Sequence, residues 1–192
     1  MTNPPVNPDI SAITTTTIDT SLIEPDNEEF IESVHEYEEI NYNGEFTVNL
    51  LNRWEYTDIF GMFTATRGES EIDGAMMLIL TVPSSDIDGM GFEEYLEMSG
   101  ILGSGGNNDG GVEILNIEDT EVDGLEAVRI EMLTDVMGNN FDVTMYAVTD
   151  YSGIYMIMYY KMGVVDYMDE FEIMVDSFRA YGIKRYTAGI GE

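Results

Sequence analysis

The acidic side chains dominate any chemistry this chain could do. It holds 38 Asp and Glu against 7 Lys and Arg, a single histidine (His35) and no cysteine. Without cysteine there are no disulfides, thiolate metal sites or cysteine nucleophiles. His35 lies in the acidic stretch NEEFIESVHEYEEI, and no GxSxG accompanies it, so a serine–histidine arrangement finds no support. Paired carboxylates, the equipment of a glycosidase, need a defined separation in a cleft. With this many acids, pairs at such distances arise by chance, so no one pair singles itself out.

Only one stretch has metal-loop spacing. Ser84-Ser85-Asp86-Ile87-Asp88-Gly89-Met90-Gly91-Phe92-Glu93-Glu94-Tyr95 places oxygens at loop positions 1, 3 and 5 and glycine at 6, as a calcium loop requires. It departs at position 12, where Tyr95 stands in place of a bidentate Glu and Glu93 and Glu94 come early. Asp86, Asp88 and Glu93 are therefore the candidate metal ligands and calcium the candidate cofactor. The plainer reading is that Asp86 or Asp88 opens a helix, where the dipole favours an acid. Asn107-Asn108-Asp109 is a second oxygen-rich spot that reads as an ordinary loop. The methionines in apolar runs (Met76, Met77, Met156, Met158, Met174) read as core filler rather than a copper or haem site, since no histidine or cysteine partner is at hand. Tyr155, Tyr159 and Tyr160 could belong to the core or form a surface strip for a partner.

The formal net charge is −31, yet 44% of residues are hydrophobic and 11% aromatic. That apolar content is far above an acidic disordered tail, so the charge coats a folded domain. Self-repulsion opposes compaction in dilute buffer. Salt relieves it, with a Debye length of about 8 Å at 0.15 M and about 3 Å at 1 M. Adaptation to a salty or acidic exterior is one expected reason for the charge; a cation-binding or basic-partner surface is the alternative. The same charge argues against nucleic acid as a partner, which needs basic patches, and against direct binding to an anionic bilayer.

At 192 residues the chain reads as one domain with tails. Residues 1–26 carry four of the five prolines and a TTTT tract and form the expected linker or tail. Residues 27–183 form the domain and 184–192 a C-terminal tail. The N-terminal stretch has no apolar core of a signal peptide, and no run in the chain reaches transmembrane length. A Thr/Pro-rich spacer is what a surface protein retains when its membrane anchor is removed, and a natural tail looks the same. The expectation is an extracytoplasmic protein, with the cytoplasm of a halophile as the alternative.

The elements follow from periodicity. Residues 27–40 allow a short helix or, from His35 to Ile40, a strand. Asn41-Tyr42-Asn43-Gly44 is a turn, and Glu45 to Leu51 alternates as a half-buried strand. A strand is expected from Ile59 to Thr66, a hydrophilic turn over 67–74, and a continuous apolar strand from Ala75 to Val82 ending at Pro83. Gly91 to Leu102 is expected to be a helix and GSGGNNDGG a loop. Val112–Glu118, Glu126–Leu133 and Phe141–Val148 are strands joined by short turns at 122–125 and 135–140, which makes them antiparallel. Ile154 to Tyr160 is the second continuous apolar run, the mark of a strand covered on both faces. The final helix places Val164, Tyr167, Met168, Phe171, Met174, Val175 and Phe178 on one stripe. Strands, helix, strands, helix is an α+β order.

Several of these pieces together resemble the PsbP-like superfamily, which includes bacterial DcrB-like lipoproteins and the Ran-binding nuclear import factors of eukaryotes. They are EFTVNLL with Trp54 just beyond, VDGLEAVRIE with its Gly124-x-x-Ala127 strand start, the hairpin YAVTDYSGIYMIMYYKM, and a helix ending on Asp176-Ser177-Phe178. The likeness spans about residues 36–181. Members often carry Pro before the Trp, where this chain has Leu51-Asn52-Arg53. The resemblance implies an α/β/α sandwich around an antiparallel sheet of about six to seven strands, and an accessory, assembly or binding role at a membrane surface. Activities do not transfer within a fold. The expected function is a non-enzymatic accessory domain with a protein partner. The competing class is a calcium-binding protein or a carboxylate-based hydrolase, and the oligomeric state stays open.

Overall fold

The structure is a computed structural model and describes residues 36–70, 73–87, 90, 92–98, 112–136 and 139–183. The expected tails, His35 and the 103–111 loop lie outside the described residues.

Seven strands form one antiparallel sheet in the order β3-β4-β5-β9-β8-β7-β6: β3 (Trp54–Ile59), β4 (Met62–Ser70), β5 (Asp73–Pro83), β6 (Val112–Val122), β7 (Leu125–Val136), β8 (Asn139–Asp150) and β9 (Gly153–Lys161). A smaller sheet joins β1 (Tyr37–Tyr42), β2 (Phe46–Leu51) and the two-residue β10 (Arg179–Ala180) in the order β1-β2-β10. Three helices complete the described elements: α1 (Ser84–Ile87), α2 (Phe92–Met98) and α3 (Met168–Asp176).

The two apolar runs sit side by side as β5 and β9 near the middle of the large sheet, paired from Ala75–Lys161 to Pro83–Gly153. Within the unbroken run of β9 the pleat still sorts side chains by parity. Tyr155, Ile157 and Tyr159 point to one face with Phe63, Met77 and Ile79, where they meet Phe46 and Val48 of β2 and Phe171, Met174 and Val175 of α3. Ile154, Met156 and Met158 point to the other, with Ile130, Met132, Val143 and Met145. On that second face Ile87 of α1, and half-buried Met90 and Tyr95, pack over the sheet.

Both faces are therefore covered, as two continuous apolar runs require. The covering corrects the expected α/β/α sandwich: the molecule is β-rich, and the first face is closed by the small sheet together with the single helix α3. That placement also corrects β2, which is buried on both sides rather than half-buried: it is the central strand of the small sheet, between β1 and β10, and even Thr47 is enclosed.

Other boundaries shift for local reasons. Trp54–Ile59 is a strand in its own right, and the expected 59–66 strand is interrupted by a two-residue turn, Phe60–Gly61, that folds β3 onto β4. The expected helix 91–102 is described as α2, Phe92–Met98, with residues 99–102 outside the described residues. In the last helix Val164 does not join the stripe; it precedes α3 and is 93% exposed. The remainder of the stripe, from Tyr167 to Phe178, packs into the core. The turns fall where expected: Asp123-Gly124 is a two-residue turn between Val122 and Leu125, and Asn43-Gly44 opens a three-residue loop between Tyr42 and Phe46, all four residues at positive φ (57°, 70°, 53° and 65°).

Candidate functional site

The most buried charged residue is Glu45, which accepts from the Thr81 hydroxyl at 3.4 Å, while two half-enclosed arginine clusters join α3 to the sheets. Glu170 Oε2 accepts from the indole N–H of Trp54 at 2.7 Å and from Nε of Arg67 at 3.2 Å. The Arg67 guanidinium also lies over the Tyr167 ring, 4.8 Å from its centroid. A second cluster gathers on Arg129 of β7, which reaches Glu131, Glu118 at 3.4 Å and Glu172 of α3 at 3.6 Å. Nε of Arg129 donates to the Tyr146 hydroxyl, which donates in turn to Glu172 at 2.6 Å. Burial lowers the Arg129 guanidinium, but its bonds to Glu131 and Tyr146 outweigh this and hold it above its ordinary value. Burial first, and then Glu172, pushes the Tyr146 hydroxyl well up. A third pairing, Lys161 with Asp166 at 2.9 Å, raises the lysine and lowers the carboxyl, and Asp166 also accepts from the Tyr159 hydroxyl.

These shifts all move away from neutrality. Tyrosines and the arginine go up, Asp166 goes down, and each keeps at pH 7 the charge it would have in water. A general acid or base works best with its pKa near the operating pH.

Of the three candidate calcium ligands, only Asp86 has a described side chain. It sits in α1, exposed, accepting a bond from the Ser85 hydroxyl at 3.0 Å. Asp88 lies outside the described residues; Glu93 belongs to α2, and its side chain lies outside them too. Among the described residues no three His, Cys, Asp or Glu side chains are grouped to hold a metal ion. The tyrosine question resolves toward the core: Tyr155 and Tyr159 are fully buried, and Tyr160 is half-buried. Met77, Met156, Met158 and Met174 are core filler, as their place in apolar runs implies.

Exposed aromatics appear instead at one end of the large sheet, on two hairpin turns. Phe60 of the β3–β4 turn is 97% exposed and Tyr151 of the β8–β9 turn 89%. Neither was singled out by the sequence reading. Phe60 sat inside an expected strand, and the signal for a turn there was the single glycine after it.

No family model and no curated protein matches the chain. Among solved structures it is similar to cyanobacterial PsbP (CyanoP) from Synechocystis sp. PCC 6803, at 14% identity over 82% of this chain and 100% of that chain, with a TM-score of 0.48. It is similar to a protein of unknown function from Pseudomonas aeruginosa at 10% identity, over 60% of this chain and 76% of that one, TM-score 0.44. A Bacteroides thetaiotaomicron protein is similar at 12% identity, over 71% and 45% of the two chains, TM-score 0.44. Fold and clusters define a β-rich α+β domain whose helix is latched to its sheets by carboxylates. The first of these is a PsbP protein, of the superfamily that the sequence around Trp54 and Ser177-Phe178 resembles. Likeness at this level says nothing of what the chain binds or does.

Proposed function

We propose that the chain is a non-enzymatic accessory domain that binds a protein partner at a cell surface in salty surroundings, tethered by its Thr/Pro-rich N-terminal spacer. The observation that carries this reading is the division among its aromatic side chains. Phe46, Phe63, Tyr155, Phe171 and Phe178 are fully buried, while Phe60 and Tyr151 stand in solvent on hairpin tips. Exposed large apolar groups on loops are characteristic of recognition surfaces. The inward use of Arg67 and Arg129 as latches favours a scaffold over a reaction centre, and the net charge of −31 suits a protein kept soluble in salt.

The test has two arms. Thermal melts of the full chain from low to molar KCl should show a steadily rising melting temperature; a flat profile removes the salt-adapted part. Reversible cross-linking in the producing cells at native salt should join the chain to one defined protein in fixed ratio. A chain that stays uncross-linked removes the binding role. Hydrolytic turnover abolished by replacing one carboxylate would put the hydrolase class in its place. Heat on titrating calcium at high KCl would bring Asp86, Asp88 and Glu93 forward.

A further inference from the structure

The β3–β4 hairpin closes through Phe60 and Gly61 alone, because Ile59 pairs directly with Met62. Both turn residues have positive φ, 55° and 78°. A two-residue turn of this kind favours Asn-Gly, since asparagine tolerates the left-handed region and a bulky aromatic does not. Phe60 is thus strained, and its 97% exposure means that no packing within the chain offsets the strain. Strain held at a solvent-facing aromatic points to a use outside the folded chain.

The tip is also firmly held. Asp58 accepts the Gly61 N–H at Oδ1 and the Tyr42 hydroxyl at Oδ2, both at 2.9 Å, which braces the turn against the small sheet. Tyr151 is mounted in the same fashion. Asp150 Oδ1 accepts the N–H of Ser152 at 2.7 Å and of Gly153 at 3.1 Å, and Ser84 N–H donates to the Ser152 carbonyl at 2.7 Å. The two turns lie at the same end of the sheet, three strand spacings apart in the order β3-β4-β5-β9-β8, and the Asp150–Gly153 pair stands level with Pro83, three residues beyond the level of Ile59–Met62. About 4.8 Å per strand and about 3.3 Å per residue put them about 17 Å apart. Asp58, Asp123 and Asp150 share that end, and Arg179 beside them is tied to Asp123 at 3.4 Å.

We propose that Phe60 and Tyr151, on two braced turns, form a two-point docking edge for a protein partner that offers two apolar pockets about 17 Å apart, bordered by Lys and Arg. This rests on the binding reading above and adds its site and the chemistry of the partner. The carboxylates choose among occupants. An anionic bilayer would be repelled, and a second copy would bring the same acids face to face. Turns whose backbone is already held suit protein pockets because less backbone freedom is lost on docking.

The experiment places the photo-cross-linking residue p-benzoylphenylalanine singly at Phe60, Tyr151, Leu115 and Val164 of the full chain in the producing cells. Leu115 is an exposed apolar residue on β6, at the opposite edge of the sheet from β3, and Val164 lies at the far end of the strands. Positions 60 and 151 should capture the same basic protein, and position 164 none. Phe60→Asn supplies the second measurement. It should raise the melting temperature, by restoring Asn-Gly, while competing at least about tenfold less well than the unaltered chain for the captured protein. An acidic partner, a captured second copy, sedimentation with phosphatidylcholine vesicles that depends on Phe60, or undiminished competition by Phe60→Asn overturns the proposal. Capture from Leu115 alone also overturns it but leaves the binding role standing; no capture from any of the four positions removes both.

Discussion

The indole N–H of Trp54, at the start of β3, meets Glu170 of α3 at 2.7 Å, and the same carboxylate oxygen receives Arg67 from β4 at 3.2 Å. One acid thereby ties a helix to two strands more than a hundred residues away in the chain. Trp54 is itself buried, so its N–H has no ready water to turn to.

Replacing Glu170 by Ala leaves that N–H and the Arg67 charge unmatched. The expected loss is about 2–3 kcal/mol of unfolding free energy, read from the urea midpoint at fixed salt. Glu126→Ala, at an exposed carboxylate, is the control. In so acidic a chain it should be neutral or slightly stabilising at low salt, because it removes one repelling charge.

Phe178 follows α3 and is fully buried, with ring centroids of Phe46 and Tyr155 each 5.4 Å away. The neighbouring Ser177 hydroxyl accepts the Asn49 N–H at 2.8 Å and donates to the Met174 carbonyl at 2.6 Å, so the helix end has little room to collapse. Phe178→Ala should destabilise by about 3–5 kcal/mol in equilibrium denaturation. A change near zero would place this ring outside the core.

Gly153 opens β9 with φ at 151°, and a methyl group there would fall 2.0 Å from the Val82 carbonyl oxygen on β5. The obstacle is backbone in the central ladder, which cannot swing aside as a side chain does. Gly153→Ala should cost more than about 3 kcal/mol, seen as a collapse of the melting temperature by circular dichroism. A shift of only a degree or two would mean that β5 and β9 do not approach so closely.

The pH dependence follows from the buried tyrosines. Burial raises Tyr42, Tyr56, Tyr146, Tyr159 and Tyr160, and pushes Tyr155 up to about 12, from a starting value of 10.0. A group whose pKa is higher folded than unfolded contributes stability in full below its unfolded value and loses it as pH rises through the folded one. Above pH 10 the folded chain holds more protons than the unfolded chain, so stability falls with pH. Lys161, raised by Asp166, adds to the same alkaline loss. Asp166, lowered by Lys161, acts at the other end: its contribution is present above its unfolded 3.8 and fades as pH falls below it. Denaturation midpoints across pH 7 to 12, with tyrosinate absorbance followed in parallel, should show unfolding and the release of late-titrating tyrosines together.

Much of the fold was legible in local pattern. Period two and unbroken apolar runs located β5, β7, β8 and β9. Asn43-Gly44 and Asp123-Gly124 announced their turns, and spacings of three and four marked Phe171, Met174 and Val175 as the inner face of α3. Such signals survive in the sequence because they depend on residues within one or two turns of each other. The turn at Phe60–Gly61 broke the rule that makes hairpins readable. A phenylalanine stands where an asparagine would have signalled the bend, so the strand expected over 59–66 runs through the turn and β3 is not foreseen.

What only the tertiary structure decided is which distant pieces meet. Two residues after the last helix, Arg179 and Ala180, pair with Thr47 and Phe46 to complete the small sheet, and no property of a dipeptide foretells that. The same folding placed Tyr155 and Tyr159 inside and brought Phe60 and Tyr151 to one end. An aromatic side chain is equally suited to a core or a contact surface, and strand order determines which of the two it becomes. Composition and spacing determined an acid-coated α+β domain. The pairing of chain segments far apart in sequence turned carboxylates such as Glu170 and Glu172 into latches and left Phe60 and Tyr151 in solvent.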